Sequence, residues 1–186
     1  TAAEAAGDGA PAYNALIAQS DSGLRAGYDA LSGEVHGSAS SVLINDASNY
    51  RRQLLERMSN PSGNQAWLEA TAEQSTIDAD TTKGYGEVDS NSAGLTGGGL
   101  ISFGALSFGA SAAYTRADID VDARRSDVTA ESTRGSVFAT FDGGVIKAKL
   151  GVEASEAKLN TARAIVFPGV AEASFAEYDA NGSQVF

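Results

Sequence analysis

The sequence predicts a mainly β chain: an up-and-down antiparallel sheet entered through one long amphipathic helix. Three observations carry this reading. Up to Met58, apolar residues recur at three- and four-residue steps, the period of a helix. From Ala66 the period changes to two, the mark of a strand with two unlike faces. The connections between the alternating segments run long, short, long, short, long, and 21 glycines with only three prolines supply the turns.

The helix is read over Leu31–Met58, LSGEVHGSASSVLINDASNYRRQLLERM. Val35, Ala39, Val42, Leu43, Ala47, Tyr50, Leu54 and Met58 form one apolar stripe, and Ser41, Asn45, Ser48, Arg52 and Glu56 face the other way. Ser32 or Gly33 opens it, with Glu34 near the positive end of the helix dipole. Arg51, Arg52 and Arg57 lie toward the negative end. Asn60-Pro61 stops it, because a residue before proline resists the α region. Upstream, residues 1–10 are small and acidic and read as a linker. Residues 11–31 read as one or two short helices, with one apolar patch at Tyr13, Leu16 and Ile17 and another at Leu24, Tyr28 and Leu31.

Six strands follow a turn at PSGN, residues 61–64. The first puts Ala66, Leu68, Ala70 and Ala72 opposite Glu69, Thr71 and Glu73. A polar connection is expected over Ile77–Ser92, then a second strand over Gly94–Phe103 with Leu95, Ile101 and Phe103 in one phase. After the short Gly104-Ala105 turn, Leu106, Phe108, Ala110, Ala112 and Tyr114 alternate with small and hydroxylic residues. That apolar phase turns charged at Arg116, Asp118 and Asp120, so Ala117–Ser132 is expected to be the second long connection. The fourth strand, Thr133–Phe141, carries Val137, Ala139 and Phe141 on one face and ends in the turn Asp142-Gly143-Gly144. In the fifth, Ile146, Ala148, Leu150, Val152 and Ala154 alternate with Lys147, Lys149, Gly151, Glu153 and Ser155. The third long connection is expected over Asn160–Ala173, and the sixth strand over Asn181–Phe186. A wet sheet face and a hydrated barrel lumen both satisfy the polar phase. Long connections segregated to one end fit an up-and-down membrane barrel, with short turns on one side and long loops on the other.

Composition narrows the function classes. The net charge of −11 leaves no basic patch to draw in phosphates, which disfavours nucleic acid as a partner. The chain has no cysteine, which suits passage through an oxidising compartment. No stretch approaches the roughly twenty apolar residues of a membrane helix. A mean hydropathy of −0.16 is compatible with barrel strands, which hide their lipid face by alternation. No leader segment is legible, and Thr1 is expected to lie inside a longer precursor.

Two stretches carry a resemblance. LSGEVH (Leu31–His36), VLI (Val42–Ile44) and RRQLLERM (Arg51–Met58) resemble the segment leading into the translocator barrel of bacterial autotransporters. Arg163, Phe167-Pro168-Gly169, Tyr178-Asp179-Ala180 and Gln184-Val185-Phe186 resemble, in order and spacing, a stretch of that barrel. The resemblance implies a transmembrane β-barrel whose lumen holds the amphipathic helix. It implies a division into residues 1–30, linker and short helices at the end of a passenger; 31–60, lumen helix; and 61–186, the first half of the barrel. The implied function is an outer-membrane anchor of a Gram-negative cell that supports export and surface display of the passenger. Lipid, the passenger, the barrel-assembly machinery and periplasmic chaperones are the implied partners.

The family barrel has roughly a dozen strands, as the resemblance implies, against about six here. An incomplete barrel is therefore expected, rather than Phe186 as a terminal assembly signal. An open edge at Asn181–Phe186 motivates an alternative from another class: a structural module that self-associates edge to edge into a surface filament or oligomer.

No catalytic, cofactor-binding or metal-binding residues are assigned, and no cofactor is expected. Asp118, Asp120 and Asp122 form D-x-D-x-D, but Ala123 and Thr129 stand where a calcium loop needs glycine and glutamate. His36 is the only histidine, and no serine has a G-x-S-x-G setting. Gly97–Leu100 lies in a strand and is not a phosphate loop. The chain is read as not an enzyme; an esterase-like passenger activity is the weakest reading, tested by mutating His36.

Overall fold

A computed structural model of the chain describes residues 11–21, 23–24, 27, 34–59, 63–78, 87–121, 126–167 and 170–186. The expected linker, Tyr28, Leu31–Gly33, Asn60-Pro61, Asp122 and Pro168-Gly169 lie outside these, as do the side chains of Tyr13, Val35 and His36.

Among the described residues, two helices with defined bounds precede the sheet, α1 (Pro11–Ile17) and α2 (Glu34–Ser59), and Asp21, Gly23, Leu24 and Gly27 between them are also helical. The strands are β1 (Gln65–Ile77), β2 (Val88–Phe103), β3 (Leu106–Val121), β4 (Ser126–Asp142), β5 (Lys147–Phe167) and β6 (Val170–Val185). They form one antiparallel meander in the order β1-β2-β3-β4-β5-β6, with β1 and β6 as its open edges. No described helix is long and apolar enough to cross a membrane. The short turns behave as read: Gly104 and Gly144 take positive φ, which suits glycine, and the Gly144 N–H donates to Asp142 Oδ1 at 3.1 Å.

The sequence expectation was wrong about the long connections. Most of Ala117–Ser132 and Asn160–Ala173 is strand, and the sixth strand begins at Val170 rather than at Asn181. The strands run 13 to 21 residues, where about ten suffice to cross a bilayer. The physical reason is an inversion of phase. On β3 the outward row Leu106, Phe108, Ala110, Ala112, Tyr114 becomes Arg116, Asp118, Asp120. The inward row Ser107, Ser111, Ala113 becomes Ala117, Ile119, Val121. Alternation never stops; the apolar side changes face. Read in one phase only, the strand ends at Tyr114.

The register aligns these changes across the sheet. The outward apolar rows run from Phe103–Leu106–Phe141–Ala148 up to Leu95–Tyr114–Thr133. Phe103 to Leu95 is eight residue steps, roughly 26 Å along the strand. Phe108 is 52% exposed and Leu150 61% exposed, both pointing away from α2. From β3 to β6 the next outward row, Arg116–Glu131–Lys158–Asp179, is polar. Arg116 pairs there with Glu131 at 3.2 Å and Asp118 at 3.5 Å.

Candidate functional site: the helix seated on the polar inner face

α2 lies along the inner face with its amino end toward the long extensions and its carboxyl end toward the short turns. Three levels of contact fix it. At the lower level Leu54 and Met58 pack with Leu100 and Phe138. Lys149 Nζ donates to Ser59 Oγ on the last turn, and the Ser59 hydroxyl donates to Leu55 O at 2.6 Å. At the upper level Ala39, Val42 and Leu43 sit among Ile119, Val121, Val128, Ala130 and Leu159. Ile119 is 1% exposed, so this level is held by apolar burial.

The middle level is polar and buried. Arg134, 5% exposed, reaches from β4 to Asp46 of α2, with Nη2 at 2.8 Å and Nε at 3.2 Å from Oδ2. Its Nη2 also donates to Leu43 O at 3.4 Å. The second guanidinium nitrogen faces Glu153 of β5 at 3.4 Å. Ser132 and Thr115 donate to Asp46 at 3.1 and 3.3 Å. Gln184 Nε2 donates to Glu153 at 2.6 Å, and Arg51 of α2 donates to Gln184 Oε1 at 3.0 Å. One row lower, the Tyr50 and Ser136 hydroxyls pair at 3.0 Å. Asp46, Tyr50 and Arg51 of α2 thus meet complementary groups on β3, β4 and β6. A buried guanidinium is tolerated only when paired in this way. Sliding the helix by one turn would strand it.

Aromatic rings seated on inward glycines brace the lower level. A side chain at Gly98 would meet the Trp67 ring at 2.3 Å, one at Gly109 the Phe138 ring at 2.4 Å, and one at Gly151 the Phe186 ring at 2.5 Å. Trp67 and Phe138 approach with centroids 6.4 Å apart. Arg57 of α2 lies over Trp67 at 5.6 Å and pairs with Glu69 at 3.3 Å. Beside the helix, toward β1–β3, a cavity of about 680 Å³ is lined by Val42, Asp46, Glu73, Ser75, Val88 and Ser92. The helix therefore sits against β3–β5 and leaves room on the other side.

The apolar stripe and the outward row of each strand lie where sequence reading places them. Asp46 and Arg134 were missed: Asp46 interrupts the apolar stripe and Arg134 interrupts a phase of small hydroxylic residues. A charge in each of two complementary buried stripes was the available signal. Asp118 accepts from Thr129 at 2.9 Å and pairs with Arg116, which occupies it on the outer face. Among the described residues no group of three His, Cys, Asp or Glu could hold a metal ion.

Residues 66–186 match the family model described as the autotransporter β-domain. Among solved structures, the chain resembles the translocator domain of the autotransporter NalP from Neisseria meningitidis, with TM-score 0.60 and 13% identity, covering 81% of this chain and 50% of that one. It also matches the β-domain of the Bordetella autotransporter BrkA, with TM-score 0.46 and 17% identity, covering 66% of this chain and 47% of that one. A search of curated proteins found no match. The chain spans about half the length of the solved translocator domains it matches. With the family model covering most of its length, the chain belongs to the autotransporter β-domain family, the outer-membrane β-barrel translocators of Gram-negative bacteria.

Proposed function

We propose that this chain carries the trailing end of an exported passenger and the part of the barrel that holds it at the cell surface. In this reading residues 1–30 end the passenger, 31–60 are the lumen helix, and 61–186 are the first half of the barrel. The single observation that carries it is the polarity of the sheet. Apolar rows point away from α2 over about a bilayer's depth, while a satisfied polar network faces α2. The helix direction supports the topology: its amino end, which leads to the passenger, lies at the end with the long charged extensions. The chain does no chemistry of its own; it anchors, holds and plugs. Further strands complete the barrel, since open edges are untenable in lipid. The barrel-assembly machinery and periplasmic chaperones are the partners this route requires.

Single cysteines test the reading in a chain that has none of its own. Asp120→Cys is expected to react with a membrane-impermeant maleimide on intact cells, and Ala105→Cys only after the outer membrane is opened. The reverse pattern would overturn the topology. A soluble, regular polymer seen by sizing without detergent would overturn the membrane reading in favour of edge-to-edge assembly.

A further inference from the structure

The β5–β6 hairpin is taller than the rest of the described sheet. β4 begins at Ser126, which pairs with Arg163. In the rows above, from Ala164↔Ala173 to Phe167↔Val170, β6 is the described partner of β5. Ile165 stands nine residue steps above Glu156, the β5 residue in the top apolar row, roughly 30 Å along the strand. The inner face of this tip is mixed. Ile165 and Val170 are buried, while Glu172, paired with Ile165, is exposed. Upstream chain buries the two aliphatic side chains: Leu16 of α1, 3% exposed, forms one cluster with them, and Ala15 and Leu24 pack against it. Gln19 Nε2 donates to Ala15 O at 2.9 Å, and the Leu24 N–H donates to Ser20 O at 2.8 Å. These local bonds tie the helical turns on either side of Ser20, so Leu16 and Leu24 arrive at the tip together.

We propose that the inner face of the β5–β6 tip is a docking surface for α1 that orders only with α1 on it, and that this contact holds the exported chain outside the barrel. The proposal rests on the topology given under Proposed function. Neither piece is stable by itself. α1 has seven residues, and an isolated helix shorter than about 12–15 residues is marginal in water. The tip is two-stranded in the described sheet, and an isolated two-stranded hairpin is marginal as well. The Leu16–Ile165–Val170 cluster is the apolar burial that each lacks alone, so the two order together. The order of the chain then gives the contact a direction. α1 precedes α2, and the Asp46 contacts fix α2 within the sheet, so α1 reaches the tip only after it has left the lumen. To slide back, Leu16 must first be drawn from its seat. Two holds therefore act in series: polar partners on α2 inside, and apolar burial of α1 outside.

Amide hydrogen exchange on the full-length protein in lipid vesicles tests the joint ordering. Leu16→Asp is expected to raise exchange at least about tenfold in both α1 and the tip strands, leaving Ile119 and Val121 unchanged. Ile165→Asp is expected to free α1 in return, and Leu16→Met to keep both protected. A tip whose exchange ignores Leu16→Asp would overturn the proposal. The hold is read on intact cells with Ala18→Cys, an exposed position beside α1, and an impermeant maleimide. In an Asp46→Asn background, which weakens the inner hold, adding Leu16→Asp is expected to lower labelling, because the chain slips inward. An α1 that merely frays outside would label fully, and undiminished labelling overturns the hold. If Ala18→Cys is not labelled in the otherwise unchanged chain, the topology itself fails.

Discussion

The lower and upper halves of the same strands solve opposite problems. Below the Leu95–Tyr114–Thr133 row the outside is apolar and the inside holds Ser107, Ser111, Ser136 and Arg134. Above it the outside is charged and the inside holds Ile119, Val121, Val128 and Leu159. One backbone geometry, pleated with period two, serves both, because alternation fixes only that the faces differ. Solvent decides which face is apolar: lipid outside below, water outside above. α2 crosses both halves: its middle is held by specific polar partners and its two ends mainly by burial. Position along the axis is set by the first, since a buried ion pair has one register; the second tolerates small shifts.

The largest expected effect comes from breaking the polar level. Arg134→Ala leaves Asp46 and Glu153 facing one another's former partner without a cation. It is expected to destabilise the folded barrel by about 3–5 kcal/mol, measured by urea unfolding in lipid vesicles. A loss under about 1 kcal/mol would mean that water in the adjoining cavity satisfies the carboxylates and that the network does not position the helix.

Next in size is a direct test of the inversion. Val137 lies outward in the middle of the apolar rows, and Asn160 outward above them. Val137→Arg is expected to cost about 2–4 kcal/mol in the same assay, the penalty of a cation on the lipid face near the midplane, and Asn160→Arg close to nothing. Equal costs at the two sites would remove the distinction between the halves.

A smaller effect separates the glycines. A methyl at Gly109 meets the Phe138 ring at 2.4 Å and Gly99 O at 2.8 Å, while one at Gly135 meets nothing within 4 Å. Gly109→Ala is expected to cost about 1–3 kcal/mol through overpacking against a carbonyl that cannot move. Gly135→Ala, on the outer face, is expected to be neutral, so a similar loss at both would point to backbone flexibility rather than ring seating.

Much of this was legible in the residues. The helix, the strand order, the outward rows and the two short turns follow from period and glycine placement, because each is a local consequence of alternation. The upper strand halves were not legible as strands. Arg116, Asp118 and Asp120 look like a loop until Ile119 and Val121 are recognised as a new apolar row, and that row has meaning only once α2 lies against it. The Asp46–Arg134 contact spans 88 positions and was invisible for the same reason: neither charge has a local partner that betrays it.

The smallest effect lies at the short-turn end, where neither half of the contrast operates and water screens every charge. Asp142 accepts from Lys147 Nζ at 2.8 Å and from the Gly144 N–H at 3.1 Å. Together, the lysine contact first, they hold its carboxyl below the ordinary value of 3.8. A lowered carboxylate contributes stability that is present above the unfolded value and lost as pH falls through the folded one, so any contribution from this turn disappears only in acid. Lys147→Met is expected to raise the titration midpoint of Asp142 toward 3.8, followed by carboxyl carbon NMR, while the Gly144 contact keeps it from arriving fully. A midpoint that does not move would assign the whole effect to the backbone of the turn.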